Sequence, residues 1–329
     1  MKKINKILAV NFGGIGDEIL FLPALISLKK EFPNADITLA LEPRSKSVKD
    51  LTDIINDIIP VDIKNKNKYI ELIKFIIKAR KEKFDLAITA GGNKFMSIIL
   101  RLTGAKKRYG YDCGTLSKIL LTKAVPLNKK QYAAKMYHDL ITPVTSYTTE
   151  LPQINVPKQE KISNSVLIHP GVSKMSVQKG MIKTVPAEVW AQTIDLLVVS
   201  GKKVLLAGGP DDKECIETIL KTVKTNNFEN LYGKTKNLKE LAELIGKAEI
   251  FLCSDSAPLH VAVAMGTKTF AIFGPTDDQK LIPENVTAIK AKDICALKPC
   301  LWEKRQTTCP TLDCLKINAE DIVKTIINK

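Results

Sequence analysis

Four short stretches of this chain carry groups suited to chemistry, and each follows an apolar run. The first is Gly13-Gly14-Ile15-Gly16-Asp17. Glycines let a backbone approach a ligand closely, and the start of a helix favours anions. Asp17 in such a place has two uses: it caps the helix, or it acts as a general base toward a bound hydroxyl. The second is Ser254-Asp255-Ser256-Ala257-Pro258-Leu259-His260. Small hydroxyl residues and backbone N–H groups at a helix start suit a phosphate, and a carboxylate there can hold sugar hydroxyls. Plain capping with a structural His260 is the competing reading. The third joins His169-Pro170-Gly171-Val172-Ser173 to Lys183-Thr184-Val185-Pro186. A loop lysine ahead of a helix neutralises a diphosphate, although in so lysine-rich a chain it also reads as ordinary surface. The fourth, Gly208-Gly209-Pro210-Asp211-Asp212, offers two acids to ribose hydroxyls or an N-cap through Asp211.

These stretches need scaffolds that end where they begin. Ile7 to Val10 reads as a strand, Glu18 to Glu31 as a helix and Ile37 to Leu41 as a second strand, the opening of a parallel doubly wound α/β sheet. A helix near Tyr69 to Lys83, a strand at Leu86 to Thr89 and a helix after Gly92 continue it. Leu151 to Asn164 carries two prolines and no periodic element, which marks a linker. The pattern then restarts: strands at Ser165–His169, Lys203–Ala207, Ile250–Cys253 and Thr269–Phe273, and helices at Pro186–Ser200, Asn237–Gly246 and Leu259–Met265. Two α/β domains follow, residues 1–155 and 156–329, with the last helix able to return to the first. All four stretches fall at carboxyl ends of strands, where open parallel sheets bind ligands, and two such domains would face each other across a cleft.

Composition narrows the function. The chain has 329 residues, and its 45% hydrophobic content is that of a folded protein with a core in each half. No apolar run is long enough to span a bilayer, and no cleavage site follows a signal-like core, so a cytoplasmic protein is expected. The formal charge of +15 is spread along the chain. It suits a nucleotide diphosphate or an anionic membrane surface as well as simple solvation. Aromatic residues make up 6% and do not interleave with basic runs, which argues against single-stranded nucleic acid. A dinucleotide fingerprint beginning at Gly14 fails because Ile19 stands where its last glycine belongs. Of seven cysteines, Cys295, Cys300, Cys309 and Cys314 cluster, with four, eight and four residues between them. These gaps are wider than those of most zinc sites, so free thiols, a structural metal and a redox pair all stay open.

Taken in order, the motifs resemble glycosyltransferase family 9, the ADP-heptose:lipopolysaccharide heptosyltransferases. The resemblance rests on Gly-Gly-Ile-Gly-Asp with Leu22-Pro23-Ala24-Leu25, the His-Pro-Gly strand end, and Ser-Asp-Ser-Ala-Pro-Leu-His with Gly274-Pro275-Thr276, and it covers nearly the whole chain. It implies a GT-B fold of two Rossmann-like domains, an inverting transfer from an ADP-sugar and no catalytic metal or other cofactor. It places Asp17 on the family's general base, behind the acceptor-side loop of Gly13, Gly14 and Gly16. Lys183 falls on the residue that offsets the leaving diphosphate. Asp255 falls on the acid that contacts the donor sugar, and Ser256, Ala257, Leu259 and His260 on the segment that holds the pyrophosphate. Asp211 or Asp212 lies near the ribose acid, and Ser173 near a phosphate-contacting hydroxyl. The implied partners are a nucleotide-diphosphate sugar and an anionic glycolipid, met at the inner face of the membrane, and no nucleic acid. Three departures bear on the donor: Ala257 replaces a usual glycine, Val185 a usual tryptophan, and Lys174 to Ile182 is longer than usual. A GT-B enzyme with another donor, an epimerase, and a non-catalytic nucleotide-sugar binder remain as alternatives.

Overall fold

Apolar runs too short for helices become strands buried on both faces, as parallel sheets require. β1 (Lys6–Asn11) is buried from its second residue onward. It is followed by α1 (Ile15–Glu31), β2 (Asp36–Leu41), β3 (Asp57–Pro60), α2 (Lys68–Glu82), β4 (Leu86–Thr89), α3 (Lys94–Leu102), β5 (Lys107–Tyr111), α4 (Thr115–Leu120), β6 (Lys123–Val125) and α5 (Ala133–Asp139). These belong to one unit, Met1–Asn155, in a computed structural model that describes residues 3–149, 151–292, 295–301 and 309–328. The second unit, Val156–Lys329, holds β7 (Ile162–His169), α6 (Lys174–Gln178), α7 (Ala187–Val199), β8 (Lys203–Leu206), α8 (Lys213–Thr222), β9 (Glu229–Asn230), α9 (Leu238–Lys247), β10 (Ala248–Ser254), α10 (Ala257–Met265), β11 (Lys268–Ile272), α11 (Asp278–Leu281), β12 (Thr287–Ile289) and α12 (Ala319–Ile327).

Each unit builds a six-stranded sheet, in the orders β3-β2-β1-β4-β5-β6 and β12-β11-β10-β7-β8-β9. All the strand pairings are parallel. Counted from its own first strand, each sheet runs outward in one direction and then reverses. The reversal lies between β1 and β4 in the first unit and between β7 and β10 in the second, and such a switch point opens a crevice beyond the strand ends. In the second sheet the strands are longest there: β7 has eight residues and β10 seven, against two in β9 and three in β12.

Each unit has an apolar cluster of its own. In the first, Leu8, Val10, Phe75, Phe84 and Leu100 pack between sheet and helices. In the second, Trp190 on α7 is fully buried among Val166, Ile168, Leu206 and Ile250. The final helix, α12, is part of the second unit and packs along α7, where Ile322, Val323 and Ile326 join that core.

Candidate functional site

At the end of β1 the chain turns through Phe12 and Gly13, and α1 begins at Ile15, three residues before the expected Glu18. Gly16 and Asp17 therefore sit in the first helical turn, not in a loop. Gly14 is the N-cap and Asp17 the third helical residue, whose Oδ2 accepts the Gly14 N–H at 2.8 Å. The helix start is thus capped by the very carboxylate considered as a base. Gly13 is required by close approach: a Cβ there would lie 2.4 Å from the Asp17 Cβ.

Two further groups come to Asp17 from distant sequence. Tyr137 on α5 donates its hydroxyl to Asp17 Oδ1 at 3.3 Å. Burial, reinforced by the Asp17 charge, pushes this phenol well above its ordinary range, so it remains a neutral donor. Its position is set by packing of α5 on α1. Phe21 meets the Tyr137 ring edge-on at 5.7 Å, and His138 Nε2 lies 2.9 Å from Ser27 Oγ in the buried layer between the two helices. Arg44, just after β2, lies beside Gly14: a Cβ on that glycine would be 3.5 Å from its guanidinium and 3.7 Å from Asp17 Oδ2. Ser45 fixes the turn by donating to the Gly13 carbonyl at 3.2 Å. Beneath Asp17, Glu18 is fully buried; burial first, then the Asp17 charge, push its carboxyl well above the usual range, partly offset by Asn11.

In the second unit the switch point gathers the ends of β7 and β10. Asp255 is buried, and its Oδ2 accepts from Lys183 Nζ at 3.1 Å and from Thr276 Oγ1 at 2.8 Å. Lys183 also reaches the Asp255 carbonyl at 3.0 Å. Burial raises the Asp255 carboxyl, but Lys183, Thr276 and His260 outweigh it, and the acid is held below its ordinary value. Lys183 stays partly exposed, with 21% of its side chain reaching solvent.

Thr184 fixes this lysine in place. Its hydroxyl donates to the Pro170 carbonyl at 2.8 Å and lies 2.7 Å from Ser254 Oγ, while Trp190 Nε1 donates to it at 3.0 Å. One hydroxyl therefore ties the end of β7, the end of β10 and the start of α7. Val185, where the family pattern has tryptophan, is buried in the core beside Trp190.

Ser256 is the N-cap of α10 and makes no side-chain capping bond. Ala257 opens the helix and Pro258 supplies no N–H; Leu259 donates its N–H to Ser256 O at 3.1 Å. His260 is buried one turn in, close enough to help hold the Asp255 charge.

The remaining sequence candidates divide. Asp212 is turned inward: its Oδ2 accepts the Gly209 N–H at 2.7 Å and lies 3.6 Å from His169 Nε2, both side chains being buried. Burial lifts its carboxyl, with His169 acting against it. Gly171 packs against it so tightly that a Cβ would fall 1.6 Å from Asp212 Oδ1. Asp212 thus caps the turn after β8, and the adjacent Asp211 is exposed and accepts the Lys174 N–H at 3.1 Å. Ser173 caps the five-residue α6, its side chain accepting from Ser176 N. Among the described residues no group of three or more His, Cys, Asp or Glu side chains is set to hold a metal.

Against known proteins, residues 72–310 match the model of glycosyltransferase family 9 (heptosyltransferase). The chain belongs to that family. A lipopolysaccharide heptosyltransferase 3 of Escherichia coli is 28% identical over 283 residues, covering 80% of this chain and 81% of that protein. A lipooligosaccharide heptosyltransferase 2 of Campylobacter jejuni is 25% identical over 324 residues, 95% of each chain. Among solved structures, the Escherichia coli heptosyltransferase WaaC with ADP-2-deoxy-2-fluoro heptose superposes with a TM-score of 0.74 at 18% identity, over 98% of this chain and 99% of the other. This family member therefore shares the GT-B fold of those enzymes. Arg44 and Tyr137 were not singled out in its sequence, and Thr184 and Thr276 stood there only as members of motifs; the place of Arg44 just past a strand end is the signal that could have found it.

Proposed function

We propose that this chain is an inverting glycosyltransferase that moves a heptose, or a closely related sugar, from an ADP-sugar to a lipopolysaccharide core or similar anionic glycan. One observation carries the reading. Each sheet presents its chemistry at its own switch point, a carboxylate held by neutral donors in the first unit and a lysine–aspartate pair beside an uncapped helix start in the second. Relatives across nearly the full length are named heptosyltransferases, and the WaaC structures carry ADP and an ADP-heptose analogue.

In this mechanism the first unit binds the acceptor and the second the donor. Asp17 takes the proton of an acceptor hydroxyl; each carboxylate oxygen has a lone pair to spare beyond its bond to Gly14 or Tyr137. The oxygen attacks the anomeric carbon, the bond from that carbon to the diphosphate oxygen breaks with its electron pair, and ADP leaves. Lys183 and the Ala257 amide that opens α10 stabilise the charge that develops on the diphosphate, a role these groups fill without a metal. Asp255 holds Lys183 in position and offers its remaining lone pairs to the sugar hydroxyls. Asp211 is the candidate for the ribose. Of the three departures, the two substitutions remove no working group, since Val185 is a core residue and Ala257 still supplies its backbone N–H.

The donor reading is tested by thermal unfolding against ADP-, UDP- and GDP-sugars and NAD. A ligand at about 100 times its Kd stabilises by about 2.7 kcal/mol, so the ADP-sugar should raise Tm most. A shift with NAD or a UDP-sugar alone overturns that assignment, and ADP-sugar binding without turnover on any core acceptor makes the chain a binding protein.

The same proposal places the enzyme at the inner membrane surface. On α2, Tyr69, Ile70, Ile73 and Ile77 are at least half exposed and form a stripe beside exposed Lys74, Lys78 and Lys81. α3 and α4 pack next in line and add exposed Phe95 and Ile119 with Lys94 and Lys118. Lysines near an anionic leaflet contribute about 1 kcal/mol each, and apolar side chains anchor them. No helix among the described residues is long and apolar enough to cross a membrane. The chain should sediment with phosphatidylglycerol-containing vesicles at low salt and not with phosphatidylcholine alone; equal recovery with both, or full retention by the Ile73→Ser, Ile77→Ser variant, removes the surface role.

A further inference from the structure

Helix α5 has seven residues, too few to hold a place by itself, and the fold fastens it at three points around Tyr137. On one side of that residue, the Tyr111 hydroxyl at the end of β5 donates to the Met136 carbonyl at 2.8 Å. On the other side, His138 Nε2 meets Ser27 Oγ of α1 at 2.9 Å, and Ser27 Oγ lies 3.0 Å from Thr149 Oγ1. The Tyr137 ring itself rests edge-on against Phe21, also of α1. Tyr111, His138, Ser27, Thr149 and Phe21 are all buried, so each tie is shielded from water.

These ties deliver one phenol hydroxyl to one oxygen. Among the described residues, Asp17 Oδ1 is the only hydrogen-bond partner of the Tyr137 hydroxyl. A phenylalanine would fill the same place against Phe21 without the cost of burying a hydroxyl, so packing alone does not account for a tyrosine. The carboxylate is pinned from two directions, Oδ2 by the Gly14 N–H of its own helix start and Oδ1 by a group 120 residues away in sequence. With a donor on each oxygen, it cannot turn about its last bond without losing one of them. Asp17 is half-buried whereas Tyr137 is buried, so the phenol approaches from within and the open side of the carboxylate stays available.

We propose that Tyr137 is a positioning residue for the transfer: it sets the plane of the Asp17 carboxylate so that a lone pair faces the acceptor hydroxyl. Tyr137 neither gives nor takes a proton in the reaction. Burial, with the Asp17 charge beside it, holds the phenol far above its ordinary range, so it stays a donor throughout. At 3.3 Å the bond is long for an O–H···O contact, and it tightens when the acceptor hydroxyl settles against the carboxylate.

The role rests on the reading of Asp17 as the base, and it shows in turnover rather than in binding. A reacting group displaced by about 1 Å loses about 10²-fold in rate. Tyr111 belongs to the same device at one remove. Its hydroxyl holds the carbonyl of the residue just before Tyr137, so its loss lets α5 shift while the phenol itself remains.

The test is transfer kinetics of the full chain with ADP-heptose and a lipopolysaccharide-core acceptor, beside thermal unfolding of each variant. Tyr137→Phe should lower kcat by about 10- to 100-fold and leave both KM values, ADP affinity and Tm nearly unchanged. Added to Asp17→Asn, the same substitution should cost nothing more, because it acts through that carboxylate. Tyr111→Phe should lower kcat in the same direction by a smaller factor. An unchanged kcat in Tyr137→Phe, a loss that follows a lowered Tm, or a further loss on top of Asp17→Asn overturns the proposal and leaves Asp17 as the base. Where Tyr137→Phe does not fold, Tyr111→Phe decides by the same criteria. Undiminished transfer by Asp17→Asn instead removes the base, and the role of Tyr137 with it.

Discussion

The two units share one strand order and solve opposite electrostatic problems at the same place in it. In the first, the long helix α1 is capped by its own Asp17, so its leading amide is already spent and a negative charge stands there. In the second, α10 receives no side-chain cap, and its acid, Asp255, sits before the helix and is offset by Lys183. A helix start that already carries a carboxylate disfavours an anion, and one without a side-chain cap suits it. The proposed mechanism accordingly assigns the diphosphate to the second unit and the acceptor proton to the carboxylate of the first, whose partners are an amide and a phenol. On that proposal two copies of one topology serve as base and anion holder through the position of a single acid relative to a helix cap.

The largest effect should come from removing the charge on the first side. Asp17→Asn keeps the shape and should lower kcat by about 10²- to 10⁴-fold while leaving ADP affinity by calorimetry unchanged. Transfer at the original rate would take Asp17 out of the mechanism. Asp255→Asn probes the other side. It leaves Lys183 without its charge partner and should cost about 2–4 kcal/mol in chemical denaturation, the lower end for a buried pair because Lys183 still reaches water.

The same acid sets a pH dependence. Its folded-state pKa lies below the ordinary 3.8, so its contribution is complete above that value and is lost as pH falls through the lower one. Stability of the unmutated chain should therefore drop on acidification below about pH 4, and the Asn variant should drop less. Equal acid sensitivity in the two proteins would show that Asp255 is not held by its pairing.

Two glycines sharpen the contrast further. Gly13→Ala forces a Cβ to within 2.4 Å of the Asp17 Cβ, and Gly171→Ala forces one to within 1.6 Å of Asp212 Oδ1. The first should displace the base and cost about 10²-fold in kcat with a small change in Tm. The second should destabilise by about 1–3 kcal/mol, since Asp212 is locked by Gly209. The same loss of stability from both would erase the distinction between a catalytic and a structural carboxylate.

Much of the scaffold was legible because parallel strands buried on both faces are continuous apolar runs: β4 was expected at Leu86–Thr89 and lies there. β5, whose sequence Lys107-Arg108-Tyr109-Gly110-Tyr111 opens on two charges, gave no such signal and pairs with β4 only in the assembled sheet. α1 was read three residues short because glycines at its start look like a loop, while the cap that extends it is a side-chain contact. Asp211 and Asp212 are adjacent, and nothing in their types says which turns inward; the Gly209 amide and the space left by Gly171 decide it. Tyr137 acts through tertiary approach alone, at a separation where sequence spacing carries no information, and Thr276 stood in a motif that did not disclose its bond to Asp255.

Both sheets taper from their centres to outer strands of two to four residues: β3 and β6 in one, β9 and β12 in the other. A border this brief offers few unpaired amides and carbonyls for a stray chain to extend. Self-association by strand addition is thereby discouraged in a fold whose inner strands are largely apolar. Lengthening the β9 border with alternating valines should make the protein prone to fibrous precipitation while its internal chemistry stays intact.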